Sequence, residues 1–124
     1  MSRIVLIGVA GLMGTLVRYW LSGWADERWG ASFPVGTLIV NLLGCLAVGF
    51  LFQATEEKYL IDPVLRSAIL VGFLGGFTTF SSFGIQTFTL LREGEIFLAG
   101  LNVAVSNVVG LILVWTGYTV SRSL

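Results

Sequence analysis

The sequence predicts an all-α membrane protein, one domain over residues 1–124 with four transmembrane helices. Three observations carry that expectation. Apolar residues make up 56% of the chain and charged residues only 11%, where a soluble domain carries about 25%. So little charge suits lipid better than water as the surrounding medium. The charges are also clustered, leaving uncharged runs from Trp29 to Thr55 over 27 residues, Ser67 to Leu91 over 25 and Ile96 to Ser121 over 26. Each run exceeds the ~20 helical residues needed to cross a ~30 Å hydrocarbon core. Finally, Asp26-Glu27-Arg28, Glu56-Glu57-Lys58 and Arg92-Glu93-Gly94-Glu95 make short charged loops, so consecutive helices run antiparallel.

The first span is expected over residues 4–24. Ile4 to Val17 is uncharged, Arg18 interrupts, and Tyr19 to Ala25 continues. No small-residue cleavage site follows, and Arg18 falls inside the apolar stretch, so the segment reads as a retained helix rather than a signal peptide. Gly8, Gly11 and Gly14, with Ala10 and Gly14 in small-xxx-small spacing, let helix backbones approach closely in lipid. The second span, 33–52, places Asn41 near its centre. The third, 67–91, contains Gly72-Phe-Leu-Gly-Gly-Phe-Thr-Thr-Phe-Ser-Ser-Phe83. Glycine costs about 1 kcal/mol against alanine in a helix interior, and threonine turns its hydroxyl back onto the backbone. The sequence therefore predicts a third helix broken at the membrane midplane, where freed peptide groups must be buried in protein or line a cavity. The alternative is a continuous helix whose glycines serve packing. The fourth span, 96–120, puts Asn107 near its centre.

Asn41, Thr78, Thr79 and Asn107 thus bring polar groups from three spans to one depth. They either bond helices together or line a polar path. Phe73, Phe77, Phe80 and Phe83 recur at steps of three or four. They are packing, or they present ring edges, which carry positive potential, to an anion. Arg18 either snorkels to the interface or gathers anions in a vestibule. Cys45, the one cysteine, reads as a small buried hydrophobe.

Several function classes are excluded. All seven carboxylates lie in loops and there is no histidine. A proton-coupled exporter lacks its intramembrane titratable group, and an enzyme lacks a nucleophile with a base, or metal ligands. Equal counts of seven basic and seven acidic residues give no field that would favour nucleic acid. The basic residues also divide almost evenly. Arg3, Lys58, Arg66 and Arg122 fall on one side of the membrane, and Arg28, Arg92 and Arg18 on the other. With so little bias for the positive-inside rule, either a partner fixes orientation or the chain inserts both ways and pairs antiparallel with itself. An accessory subunit, whose midplane polar residues bind partner helices, is the main alternative to a channel. A cation path is a third.

Gly14-Thr-Leu-Val-Arg18, Gly36-Thr-Leu-Ile-Val-Asn41 and the Gly72–Phe83 segment resemble the three signatures of the Fluc, or CrcB, fluoride channels, over essentially the whole chain. The resemblance implies a dual-topology, antiparallel homodimer in the bacterial inner membrane that exports toxic fluoride passively. It implies an anion pore of Phe80, Phe83, Asn41, Ser81, Asn107 and Thr37, with Arg18 in the vestibule. It also implies a structural sodium ion at the dimer interface, held after Gly75 by the carbonyls of Gly75 and Thr78 from both chains. Asn107 matches the first position of a polar track on the fourth span. Leu111 stands one turn later, where some relatives carry a hydroxyl, and Ser106 or Thr37 is expected to supply that contact.

Overall fold

A computed structural model describes residues 2–58 and 61–124. Its α-helices are α1 (Arg3–Trp29), α2 (Val35–Gln53), α3 (Pro63–Ser67), α4 (Leu74–Phe77), α5 (Phe80–Arg92), α6 (Ile96–Ala104) and α7 (Gly110–Ser123). π-helical stretches at Ala54–Lys58, Ala68–Phe73 and Val105–Val109 continue or join them, and no strand occurs among the described residues. Four helical segments are long and apolar enough to cross a membrane: Arg3–Trp29, Val35–Glu57, Pro63–Arg92, which is interrupted at residues 78 and 79, and Ile96–Ser123.

All four segments were expected, but most run past the expected ends. The first continues through Asp26, Glu27 and Arg28, because charged residues at a helix end remain helical while reaching the headgroups. It stops at Gly30, whose amide donates to the Asp26 carbonyl at 2.8 Å. The third begins at Pro63 rather than residue 67. Proline suits the first helical position, and the Asp62 side chain accepts from the Val64 amide at 3.2 Å as its cap.

Two glycine seams hold the bundle. Along the first, α1 lies against the first half of the third segment. A Cβ on Gly14 would strike the Phe73 carbonyl, and one on Gly76 would stand 2.5 Å from the Gly11 carbonyl. Along the second, α2 lies against α7: side chains on Gly49 and Gly117 would strike the carbonyls of Val114 and Leu46. With little hydrophobic force between helices in lipid, such close backbone packing is what holds them together. A tight turn joins α5 to α6. Gly94 has φ 81°, a conformation glycine adopts without strain, and the Glu95 amide donates to the Leu90 carbonyl at 2.8 Å.

The first seam also locates the non-helical backbone. The Gly-Gly and Thr-Thr pairs together predict a break in this stretch, and the family resemblance implies that it follows Gly75 directly. Instead Gly75 and Gly76 stay helical in α4, and the extended residues are Thr78 (φ −93°, ψ 159°) and Thr79 (φ −151°, ψ 118°). Gly76 is a packing residue pressed on Gly11, so α4 stays regular until that contact is passed.

Candidate functional site

Thr78 and Thr79 lie against a cavity of about 370 Å³ between α2, the third segment and the middle of the last. The hydrogen bonds around them explain why the backbone can be extended there. The Asn41 carboxamide pairs with both peptide groups of Thr79: Nδ2 donates to its carbonyl at 2.9 Å, and Oδ1 accepts from its amide at 2.8 Å. The Thr79 hydroxyl then caps α5, accepting from the Ser82 amide at 3.2 Å. Upstream, the amide and hydroxyl of Thr78 both donate to the Leu74 carbonyl at 3.0 Å. Nε of Arg18 donates to the Gly76 carbonyl at 3.0 Å, placing positive charge at the C-terminal, electronegative end of α4.

This arrangement releases the carbonyls of Gly75 and Thr78 from their helical partners. In a continuing helix the Thr79 amide would bond the Gly75 carbonyl and the Ser82 amide would bond that of Thr78. Here those amides go to Asn41 and to the Thr79 hydroxyl. Gly75 and Thr78 both border the cavity, and a backbone carbonyl is the kind of neutral oxygen ligand that a hard cation takes. No group of three or more acidic, histidine or cysteine side chains that would suit a transition metal occurs among the described residues.

Of the residues expected at the anion pore, the vestibule and the metal site, Asn41, Asn107, Phe80, Phe83, Gly75 and Thr78 border this one cavity. Phe80 and Phe83 lie with ring centroids 5.5 Å apart and planes tilted 36°. Phe80 is 80% exposed, so packing within this chain does not account for it. Asn107 is exposed, and its Nδ2 donates to the Val103 carbonyl at 2.8 Å, one turn back on its own helix. Three residues fall outside the lining. Thr37 is buried, Ser81 is exposed with its hydroxyl 3.5 Å from that of Thr79, and Arg18 is half-buried and held at Gly76.

Sequence reasoning missed a polar chain leading away from the cavity. Ser106, which borders it, donates to Oδ1 of Asn102 at 3.4 Å. Nδ2 of Asn102 donates to the Thr87 hydroxyl at 2.9 Å, which donates to the Phe83 carbonyl at 2.8 Å. Asn102 is only 2% exposed. The available signal was the spacing of Asn102 and Ser106, four apart on one face of the last span.

A four-span helical protein that gathers amides, hydroxyls and phenyl rings around one cavity has the layout of a channel-forming multi-pass membrane protein. The particular family follows from comparison with known proteins. The chain belongs to the family described as CrcB-like protein, Camphor Resistance (CrcB), which matches residues 5–118. It is 45% identical over 124 residues, 100% of both chains, to a protein of Citrifermentans bemidjiense named fluoride-specific ion channel FluC. Proteins of the same name from Geotalea daltonii and Roseiflexus sp. are 41% and 45% identical over 122 residues, 98% of each chain.

Proposed function

We propose that this chain is a fluoride-selective channel that lets fluoride leave a bacterial cell passively across the inner membrane, and that it works as an antiparallel homodimer of dual topology. One observation supports this reading above the others. The cavity beside Thr78 and Thr79 is bordered by neutral donors and aromatic rings, with no charged side chain to trap a dehydrated anion. One Nδ2 hydrogen of Asn41 is used on Thr79, leaving the second for fluoride. The edges of Phe80 and Phe83 supply the weaker part of the shell. Arg18 uses Nε on Gly76, and its remaining N–H groups draw anions towards the path. Beyond the rings, Ser106, Asn102 and Thr87 carry the path further, alongside Asn107.

A second copy would close the open side of the cavity and cover Phe80, which borders that cavity and is left exposed by this chain. The carbonyls of Gly75 and Thr78, one set from each copy, would hold a sodium ion near the membrane midplane. Bound there, it would neutralise converging carbonyl dipoles and join the copies. The accessory-subunit reading loses its premise, since Asn41 and Asn102 find partners inside the chain.

Growth in fluoride tests the function. Cells stripped of their own fluoride exporter should regain tolerance when they express this chain, and should lose it with Asn41→Asp. Tolerance unchanged from the stripped strain, with the protein present in the membrane, would contradict fluoride export.

A further inference from the structure

The first turn of α2 is capped from another helix. Pro34, which precedes it, makes no side-chain cap bond. The Val35 amide turns back to the Phe33 carbonyl at 2.8 Å, and the helical ladder begins with Leu38 donating to Pro34 at 3.2 Å. Between them, the Gly36 amide donates to Oδ1 of Asp26 at 2.7 Å. A cap usually comes from the residue flanking its own helix, whereas Asp26 belongs to α1. Gly36 makes the approach possible: a Cβ there would strike the Ser22 carbonyl and stand 2.7 Å from Oδ2 of Asp26. Negative charge at a helix N-terminus is also favourable.

This bond fixes the height and rotation of α2 relative to α1. Asn41 lies five residues beyond Gly36, about 7.5 Å along the axis. Its carboxamide must meet the Thr79 peptide at two points, 2.9 and 2.8 Å, a geometry that tolerates little sliding or turning of α2. α1 holds the other side of the same junction through Arg18 and the Gly76 carbonyl. One helix therefore locates both pieces that meet at Thr79.

We propose that Asp26 is a positioning residue for the anion path: its bond to Gly36 sets α2 so that Asn41 seats on the Thr79 peptide. Its effect on flux rests on the fluoride-channel reading; its effect on Thr79 does not. The test is amide hydrogen exchange on the reconstituted protein, with fluoride efflux measured on the same vesicles. Asp26 is exposed, so Asp26→Ala leaves the core intact. That variant should speed exchange at both Gly36 and Thr79 by about tenfold or more and slow efflux per folded channel by about fivefold or more. Asp26→Asn keeps the acceptor and should hold both within about twofold of the parent. Faster exchange at Gly36 alone, with Thr79 and efflux at parent values, would overturn the proposal, leaving Asp26 a local cap. Lost protection at Thr79 in a protein whose parent form passes no fluoride would uphold the positioning role and reject the channel reading. If Asp26→Ala does not fold, Asp26→Ser, whose shorter side chain falls short of Gly36, is measured instead. Parent-like exchange at Thr79 in that variant overturns the proposal.

Discussion

One N–H and the oxygen of the Asn41 carboxamide are taken by Thr79, so the side chain is at once a structural clasp and an anion donor. Asn41→Asp separates the two. The carboxylate still accepts from the Thr79 amide, but it cannot donate to the carbonyl and it repels an anion. Fluoride efflux should fall at least about tenfold, about 1.4 kcal/mol on the barrier, while the dimer persists on size-exclusion chromatography. Parent-rate efflux would make Asn41 a clasp only. Phe80→Ile and Phe83→Ile test the rings in the same way. They keep much of the volume and lose the positive edge, so each should fold as a dimer and conduct at least about tenfold more slowly. Phe→Met, with its polarizable thioether, should retain more flux than Phe→Ile. Full-rate efflux through both isoleucine variants would make the rings packing. Asn41, Asn107, Phe80 and Phe83 were legible in the sequence because polar groups and clustered rings stand out in apolar runs. The Asn41–Thr79 clasp was not, because it joins residues 38 apart, a pairing that no local pattern encodes. Asn102 was overlooked because it sits in the first turns of its span, where a polar residue reads as interfacial.

Among the elements, the glycines of α1 show which helical contacts are fixed. Any side chain on Gly14 strikes the backbone of Phe73, whereas nothing lies within 4 Å of a Cβ on Gly23. Overpacking of a tight contact costs about 1–3 kcal/mol, while glycine to alanine in an open helix position gains up to about 1 kcal/mol. Gly14→Ala should therefore lower the melting temperature in detergent and Gly23→Ala should leave it level or raise it; the reverse order would contradict the α1 seam. The same seam explains why the four spans and the interrupted stretch were legible and the exact residues of the extended backbone were not. Gly75-Gly76 reads as a helix breaker on propensity alone. The actual use of Gly76, a close approach to Gly11, depends on a helix 65 residues earlier in the chain (76 − 11). The extension falls on Thr78 and Thr79, where Asn41 and the Thr79 hydroxyl supply replacement hydrogen bonds.

For the whole molecule, the near-even division of basic residues, Arg3, Lys58, Arg66 and Arg122 against Arg28, Arg92 and Arg18, carries the proposal of dual topology. A protease-cleavable tag at the C-terminus should be cut from both sides of the membrane in comparable amounts, and two lysines added at the Glu93–Glu95 turn should bias the population. Cutting from one side only would exclude an antiparallel pair of this chain. The most direct measurement is fluoride efflux from liposomes containing the purified chain and no other protein, followed with a fluoride electrode beside a parallel chloride measurement. The account predicts rapid fluoride release that stops when the chain is omitted, with chloride retained. Vesicles that hold their fluoride, or release chloride as readily, would contradict it.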